Sequence, residues 1–195
     1  MKWVKQSIHY WCPDTKEHKF LGQNVTVAIL DTGISPHPDF KDRILSFRDF
    51  SSTTGSSEKV LFSFSHFSPL IDNSGHGTHV AGILAGSGLL SSGTYAGIAP
   101  FCNLIIGKVL DQNGNGSIKN VINGIQWIRD IYTQFHIRII NISVGTRPDL
   151  SIHQKLLLLH AVESLWDLGL VVVVSAGNYG PAPGSVTVPG SSPKV

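Results

Sequence analysis

Short apolar runs rich in β-branched residues recur along this chain, and stretches of helical periodicity lie between them. Runs of this kind are typical of strands that are buried on both faces of a sheet. Strands that alternate with helices predict βαβ units, which assemble into a mainly parallel sheet with helices on both sides. The sequence therefore predicts an α/β fold with three α/β/α layers. The four runs are 25–30, 104–110, 137–142 and 170–174.

Two segments between these runs carry helix signals. Ser117 can cap the first helix, and Gly169 favours the end of the second, which is predicted from about Ser151 to Leu168. The apolar positions of the first helix are Ile118, Val121, Ile122, Ile125 and Ile128. The predicted apolar face of the second helix comprises Leu157, Ala161, Val162, Leu165 and Leu168.

The composition is that of one globular domain. The chain has 195 residues, of which 42% are hydrophobic and only 14% charged, and this balance excludes a disordered protein. The net charge of +2 comes without a basic run, so neither nucleic acid nor a membrane surface is expected as a partner. No secretory signal or membrane-spanning run is recognised, which predicts a cytoplasmic location. Cys12 and Cys102 are expected to be isolated thiols, the alternative being a single bridge.

The first candidate site residue, Asp31, directly follows the first apolar run. The carboxyl ends of parallel strands are where such folds place their sites. An Asp in a turn is the plainest interpretation of Asp31-Thr32-Gly33. The same three residues occur in aspartic proteases, but those enzymes need two such carboxylates in an all-β frame. One copy in an α/β pattern does not favour that interpretation.

The second candidate, His76, lies in the small-residue segment 72–82, just before a helical pattern. A histidine of this kind is usually structural. A metal site formed with His79 is not favoured, because the spacing is not i, i+4 and no Glu lies between the two. The surrounding glycines instead allow another backbone or a substrate to approach an imidazole at a helix N-terminus.

The third candidate, Asn178, follows the last apolar run within Ser175-Ala176-Gly177-Asn178. An Asn in a Gly-rich turn is usually part of the turn itself. Its amide could also donate a hydrogen bond to a developing oxyanion.

Together these motifs resemble those of the subtilisin-like serine peptidases, or subtilases. Asp31-Thr32-Gly33-Ile34 is similar to the Asp motif of the family, segment 76–82 to its His motif and segment 175–178 to its oxyanion-Asn motif, in the family's order. Segments 96–100, 121–125 and 141–145 resemble connecting stretches of the family. The resemblance covers roughly residues 20–195 and is strongest to signal-less or intracellular bacterial subtilases. It implies a subtilisin-like fold with an N-terminal arm over 1–22 and an incomplete catalytic domain over 23–195.

The resemblance also implies a serine endopeptidase that binds polypeptide in an extended form. His76 would act as general base and then as general acid, Asp31 would hold its tautomer, and Asn178 would donate to the oxyanion. The backbone edges that pair with substrate would be Gly114, Asn115 and Gly116 on one side and Ser143, Val144 and Gly145 on the other. The pocket for the substrate side chain would be walled by Ser175, Ala176 and Gly177, small residues that leave room for a large apolar group.

The nucleophile of the family lies in a Gly-Thr-Ser-x-Ala segment, and these 195 residues contain none. Ser191 and Ser192 lie in a Gly/Pro-rich turn and are not expected to replace it. The chain alone is therefore expected to be inactive, truncated before the nucleophile helix and left with an uncovered sheet edge. Three functions stay open: a peptidase seen as its N-terminal part, an inactive peptide-binding or regulatory relative, and one half of a split enzyme that a second chain completes.

The resemblance implies that calcium is a candidate cofactor, because many members of the family bind it. No other cofactor or metal is expected. Asp39 could supply one oxygen, but segment 86–95 carries no carboxylate, which does not favour a site there. A dinucleotide site at Gly86-Ser87-Gly88 is not supported either, because the third glycine is missing and no strand precedes it.

Overall fold

The computed structural model describes residues 2–8, 10, 20–51, 71–147 and 149–195. Within these ranges five strands form one parallel sheet in the order β2-β3-β1-β4-β5. The strands are β1 (Thr26–Asp31), β2 (Ile44–Asp49), β3 (Asn103–Lys108), β4 (Ile137–Ile142) and β5 (Val171–Val174). The helices are α1 (Lys2–Ser7), α2 (His76–Ala85), α3 (Ile118–Ile131) and α4 (Ile152–Asp167). The predicted α/β fold and its parallel sheet are confirmed.

The core consists of two apolar layers on opposite faces of the sheet. On one face, Leu30 and Ile140 pack with Ile125 of α3 and Val162 of α4. On the other face, residues such as Ile29 and Ile106 pack under Ala81 and Ala85 of α2. Every residue of β1 is buried, as expected for the central strand of a parallel sheet. This layering gives the three predicted α/β/α layers.

The two predicted helices are present, α3 with its predicted cap at Ser117. The Ser117 hydroxyl accepts from the Asn120 amide at 3.1 Å, and Ser151 forms a capping box with Gln154. The predicted apolar face of α4 was partly wrong. Leu158, rather than its neighbour Leu157, packs on the sheet together with Val162 and Leu165, which fits the i, i+4, i+7 spacing of one helix face.

β2 was not predicted, because Ile44–Asp49 lacks the β-branched run of the other strands. It lies at one edge of the described sheet, where only its central residues, Ser46 and Phe47, are fully buried. Because an edge strand tolerates polar residues, β2 lacks the continuous apolar run by which the other strands were predicted.

β5 forms the other edge of the described sheet. Val172 packs towards α3 and α4, whereas Val171 and Val173 point to the opposite face and are about half exposed. In the described part of the chain, α2 covers that face over β1 and β3 but no helix covers it over β5. An apolar strip is thus left open beside α2.

Cys102 is buried as a free thiol, and its burial raises its pKa to about 11. Cys12 lies outside the described residues. Among the helices of the described ranges, none combines the length and apolarity that a bilayer crossing requires.

Candidate active site

Asp31 and His76 are brought into contact, although 45 positions separate them in sequence. His76 Nδ1 lies 2.7 Å from Asp31 Oδ1. Because a carboxylate oxygen accepts, Nδ1 donates its proton and Nε2 is left as the basic nitrogen. The Asp31 side chain is fully buried, whereas that of His76 is 53% exposed. Among the described residues no group bonds Nε2, so the basic nitrogen faces outward from a fixed carboxylate.

This contact requires two glycines where α2 meets the end of β1. A Cβ on Gly77 would lie 2.3 Å from the Gly33 carbonyl oxygen and 3.2 Å from the Asp31 Cβ. Gly33 itself has φ +114°, and a Cβ there would lie 2.0 Å from the Ile71 carbonyl oxygen. Only glycine fits at either position. The glycines were expected to let another backbone or a substrate approach the imidazole, and the backbone that approaches is the segment at the end of β1.

Asp72, which the sequence analysis did not single out, accepts five hydrogen bonds at this junction. The donors to Oδ1 are Thr32 Oγ1 at 2.8 Å, the Ser74 amide at 3.1 Å and the Gly75 amide at 2.8 Å. The Thr78 amide at 2.8 Å and the Thr78 hydroxyl at 2.6 Å donate to Oδ2. Burial opposes ionisation of this carboxyl, but the bonds from Thr78, Gly75 and Thr32 outweigh it and lower its pKa to about 2.

A buried lysine lies on the strand next to Asp31. Lys108 is paired with Asp31 in the register of β1 and β3 and is only 5% exposed. Its ammonium group donates to the carbonyl oxygens of Thr32 and Leu110, both at 2.7 Å. These two carbonyl oxygens are the hydrogen-bond partners that allow the ammonium group to be buried there. Asp31 Oδ2 has no hydrogen-bond partner among the described residues.

Asn178 and the three residues before it follow β5, at the same edge of the sheet as Asp31. Asn178 is exposed, and among the described residues none bonds its amide. Gly177 has φ +91°, and a Cβ there would lie 2.3 Å from Thr187 Oγ1. A Cβ on Gly145 would lie 3.4 Å from Gly177 Cα. The predicted edge at Ser143–Gly145 and the predicted pocket wall at Ser175–Gly177 are therefore neighbours.

Two hydroxyls lie between these segments without a partner in the described ranges. They are Ser175 Oγ and Thr187 Oγ1, both buried at the atom level. A Cβ on Gly145 would be within 3.7 Å of each. Ser175, Ala176 and Gly177 were predicted to wall a substrate pocket, and Thr187 lies against Gly177 of that predicted wall. Thr187 was not predicted, because it lies outside the motif.

The other predicted edge, Gly114–Gly116, belongs to an exposed loop that Asp111 organises. The Asp111 carboxylate accepts from the amides of Asn113 at 2.8 Å and Asn115 at 2.9 Å, and the Asp111 amide donates to the Asn115 carbonyl. These bonds hold the loop just before α3.

The remaining motif residues lie elsewhere. His79 lines an apolar groove of about 430 Å³ with His37, Ile83 and Tyr95, away from the Asp31 contact of His76. Ser192 donates to Glu163 of α4 at 2.9 Å, which places it against that helix.

The Asp39 carboxylate caps the segment that follows α2. Its two carboxylate oxygens accept from the amides of Gly88 at 3.0 Å and Leu90 at 3.3 Å. The Arg43 guanidinium donates to the Asp39 carbonyl oxygen and also to those of Ala85 and Cys102. In the described part of the chain, no group of three or more His, Cys, Asp or Glu side chains is placed to hold a metal ion.

A parallel α/β sheet that presents an Asp–His pair at its carboxyl edge is an arrangement found in hydrolases in which an imidazole serves as the base. Comparison with known proteins gives the family within that class. The chain belongs to the subtilase family of serine proteases, whose family model matches residues 22–195. The resemblance read from the motifs is confirmed.

The relatives are bacterial serine proteases. The chain is 42% identical over 179 residues to the serine protease AprX of Bacillus subtilis, a match that covers 89% of this chain and 37% of AprX. It is 37% identical over 161 residues to the major intracellular serine protease of the same organism, covering 82% of this chain and 44% of the relative. The structure of sphericase superposes with a TM-score of 0.71 at 30% identity, over 87% of this chain and 51% of sphericase. The chain thus spans about half the length of its relatives or less.

Proposed function

We propose that this chain supplies the acid–base half of a subtilisin-type serine endopeptidase. The observation that carries the proposal is the 2.7 Å bond between Asp31 Oδ1 and His76 Nδ1, with the opposite ring nitrogen free. Nε2 takes the proton of a serine hydroxyl as that hydroxyl attacks the peptide carbonyl, and then gives it to the leaving amine. Asp31 fixes the tautomer and stabilises the imidazolium that forms.

Asn178 is proposed as the donor to the oxyanion. Its exposed amide follows Gly177, and its segment adjoins Ser143–Gly145, the proposed edge for an extended peptide. Backbone pairing along this edge and along Gly114–Gly116 gives affinity with little demand on sequence. The loss of such a donor costs about 10²–10³ in rate in a subtilisin.

The nucleophilic serine is proposed to come from polypeptide outside these 195 residues, since no Gly-Thr-Ser-x-Ala segment occurs among them. The open apolar strip at Val171 and Val173 supports this, because a covering segment would bury it beside α2. Without such a serine no acyl-enzyme can form, and the chain alone is expected to be inactive.

The test is complementation in trans. The purified chain is mixed with the part of the AprX catalytic domain that this chain does not match, and a fluorophosphonate probe reports reactive serine. We expect labelling of the added polypeptide and turnover of a chromogenic peptide only when both parts are present, and neither with His76→Ala. Turnover of the peptide by the chain alone would refute the proposal that the nucleophilic serine comes from another polypeptide segment. Binding of an extended peptide with no labelling in any mixture would indicate the inactive peptide-binding relative.

A further inference from the structure

Asp72 lies at the junction of the two elements that carry Asp31 and His76. We infer that Asp72 is a positioning residue, which sets the Asp31–His76 contact through the hydroxyls of Thr32 and Thr78. The inference rests on the proposed function, since the pair that it positions is the proposed catalytic pair.

The two threonines form a reciprocal link between β1 and α2. Thr32 directly follows Asp31; its hydroxyl donates to Asp72 at 2.8 Å and accepts from the Gly77 amide of α2 at 2.8 Å. Thr78 belongs to α2; its hydroxyl donates to Asp72 at 2.6 Å and accepts from the Ser35 amide, four positions after Asp31, at 2.9 Å. Each hydroxyl therefore lies on one side of the junction, in α2 or in the segment that follows β1, and accepts from the backbone of the other side.

The carboxylate fixes the direction of both hydroxyls. A hydroxyl has one proton, and when that proton is donated to an anion its lone pairs must face the remaining partner. Asp72 thereby turns the lone pairs of Thr32 towards Gly77 and those of Thr78 towards Ser35. Gly77 follows His76, and Thr32 follows Asp31. This arrangement therefore fixes the position of the His76 side chain relative to that of Asp31.

An ordinary loop-capping role would leave a different pattern. Asp39 shows that pattern, since in the described ranges the hydrogen bonds to its carboxylate come from backbone amides, those of Gly88 and Leu90. Asp72 also accepts two backbone amides of its own loop, but it adds two side-chain donors that bridge the elements. Asp39 is therefore the matched control, a loop-capping carboxylate with no link to the pair.

Asp72→Asn should disturb the pair without removing bulk. The amide NH2 that replaces one carboxylate oxygen can only donate, so it must face either the Thr78 amide or the donors at Oδ1. The threonine hydroxyl on that side can then no longer donate to residue 72, and turning its proton elsewhere moves its lone pairs and weakens the bond from the opposite backbone amide. We expect the same result from Thr32→Val, which removes a hydroxyl, but not from Thr32→Ser, which keeps it.

The experiment is ¹H–¹⁵N NMR of the 195-residue chain with labelled histidine. The low-field resonance of the His76 Nδ1 proton, assigned by its loss in His76→Asn, reports the bond to Asp31. Exchange of this proton with water is expected to rise about tenfold or more in Asp72→Asn and Thr32→Val, the equivalent of one hydrogen bond. Exchange should be unchanged in Thr32→Ser and Asp39→Asn.

The unfolding midpoint is measured in parallel, because Asp72→Asn and Asp39→Asn should both lower it. If Asp72→Asn lowers the stability but leaves the exchange of the His76 Nδ1 proton unchanged, Asp72 is merely structural. An Nδ1 proton that is unprotected from exchange in the unaltered chain would also overturn the inference. Should Asp72→Asn fail to fold, the Thr32→Val and Thr32→Ser pair decides. If the added polypeptide is not labelled in the complementation test but the exchange of the His76 Nδ1 proton changes as expected, the proposed function is refuted and the positioning role of Asp72 stands.

Discussion

Gly77→Ala tests whether the approach of α2 to β1 sets the proposed site. The new Cβ would lie 2.3 Å from the Gly33 carbonyl oxygen, whereas Cβ atoms in proteins stay at least 3.0 Å from such non-bonded heavy atoms. Both atoms are fixed by backbone, so the first turn of α2 must move by about 0.7 Å. Overpacking of this kind costs about 1–3 kcal/mol of stability.

The same movement should break the Asp31–His76 contact. A shift of about 0.7 Å along the bond takes 2.7 Å to roughly 3.4 Å, beyond the ordinary range of a hydrogen bond. In the complemented enzyme, a misplacement approaching 1 Å can cost about 10² in rate. The assays are urea unfolding, exchange of the His76 Nδ1 proton, and turnover in the mixture with the AprX part.

Gly82→Ala is the matched control in the same helix. A Cβ on Gly82 has no atom within 4 Å, so alanine meets nothing there and only improves helix propensity. We expect a gain of about 0.5–1 kcal/mol, or a rise in Tm of about 1–4 °C, with exchange of the His76 Nδ1 proton unchanged. If Gly77→Ala behaves like Gly82→Ala in stability and in exchange, the steric argument is wrong.

Three further perturbations follow from the described contacts. Arg43→Leu leaves three carbonyls without their donor and should cost about 2–4 kcal/mol in urea unfolding, and a cost below 1 kcal/mol would contradict the contacts. Gly177→Ala should lose stability through its φ of +91° and its contact with Thr187, and Thr187→Ala should recover only the steric part in a double-mutant cycle. The pKa of Asp72 is lowered from 3.8 to about 2, so its ionised form stabilises the folded chain. After a discount for partial exposure, this stabilisation is about 1–2 kcal/mol, and it is fully present above pH 3.8. That contribution is lost as the pH falls through about 2, so acid titration of stability should be flatter in Asp72→Asn.

Local patterns were enough to predict most of the secondary structure. The runs that became β1, β3, β4 and β5 are apolar because these strands pack between helix layers, and Ser117 and Ser151 are cap residues by their own chemistry. β2 escaped because an edge strand tolerates polar side chains such as Arg48 and Asp49.

The candidate site was predicted only in part. Asp31 and His76 stand out because one follows a strand and the other begins a helix amid glycines. Asp72 reads as an ordinary turn residue, and only the fold shows that its donors come from both elements. Lys108 lies within an apolar run, and nothing in the sequence indicates that two carbonyl oxygens receive its charge.

The sequence by itself determined the order of the elements other than β2, the family and the chemical groups available at each predicted strand end. Periodicity and cap residues report on neighbours along the chain, and motifs report on residue types. The tertiary structure alone decided that His76 Nδ1 lies 2.7 Å from Asp31, that Gly77 meets Gly33, and that Asp72 joins Thr32 to Thr78. Those contacts join residues up to 45 positions apart, and they form only when the packing of α2 on the parallel sheet brings the two elements together.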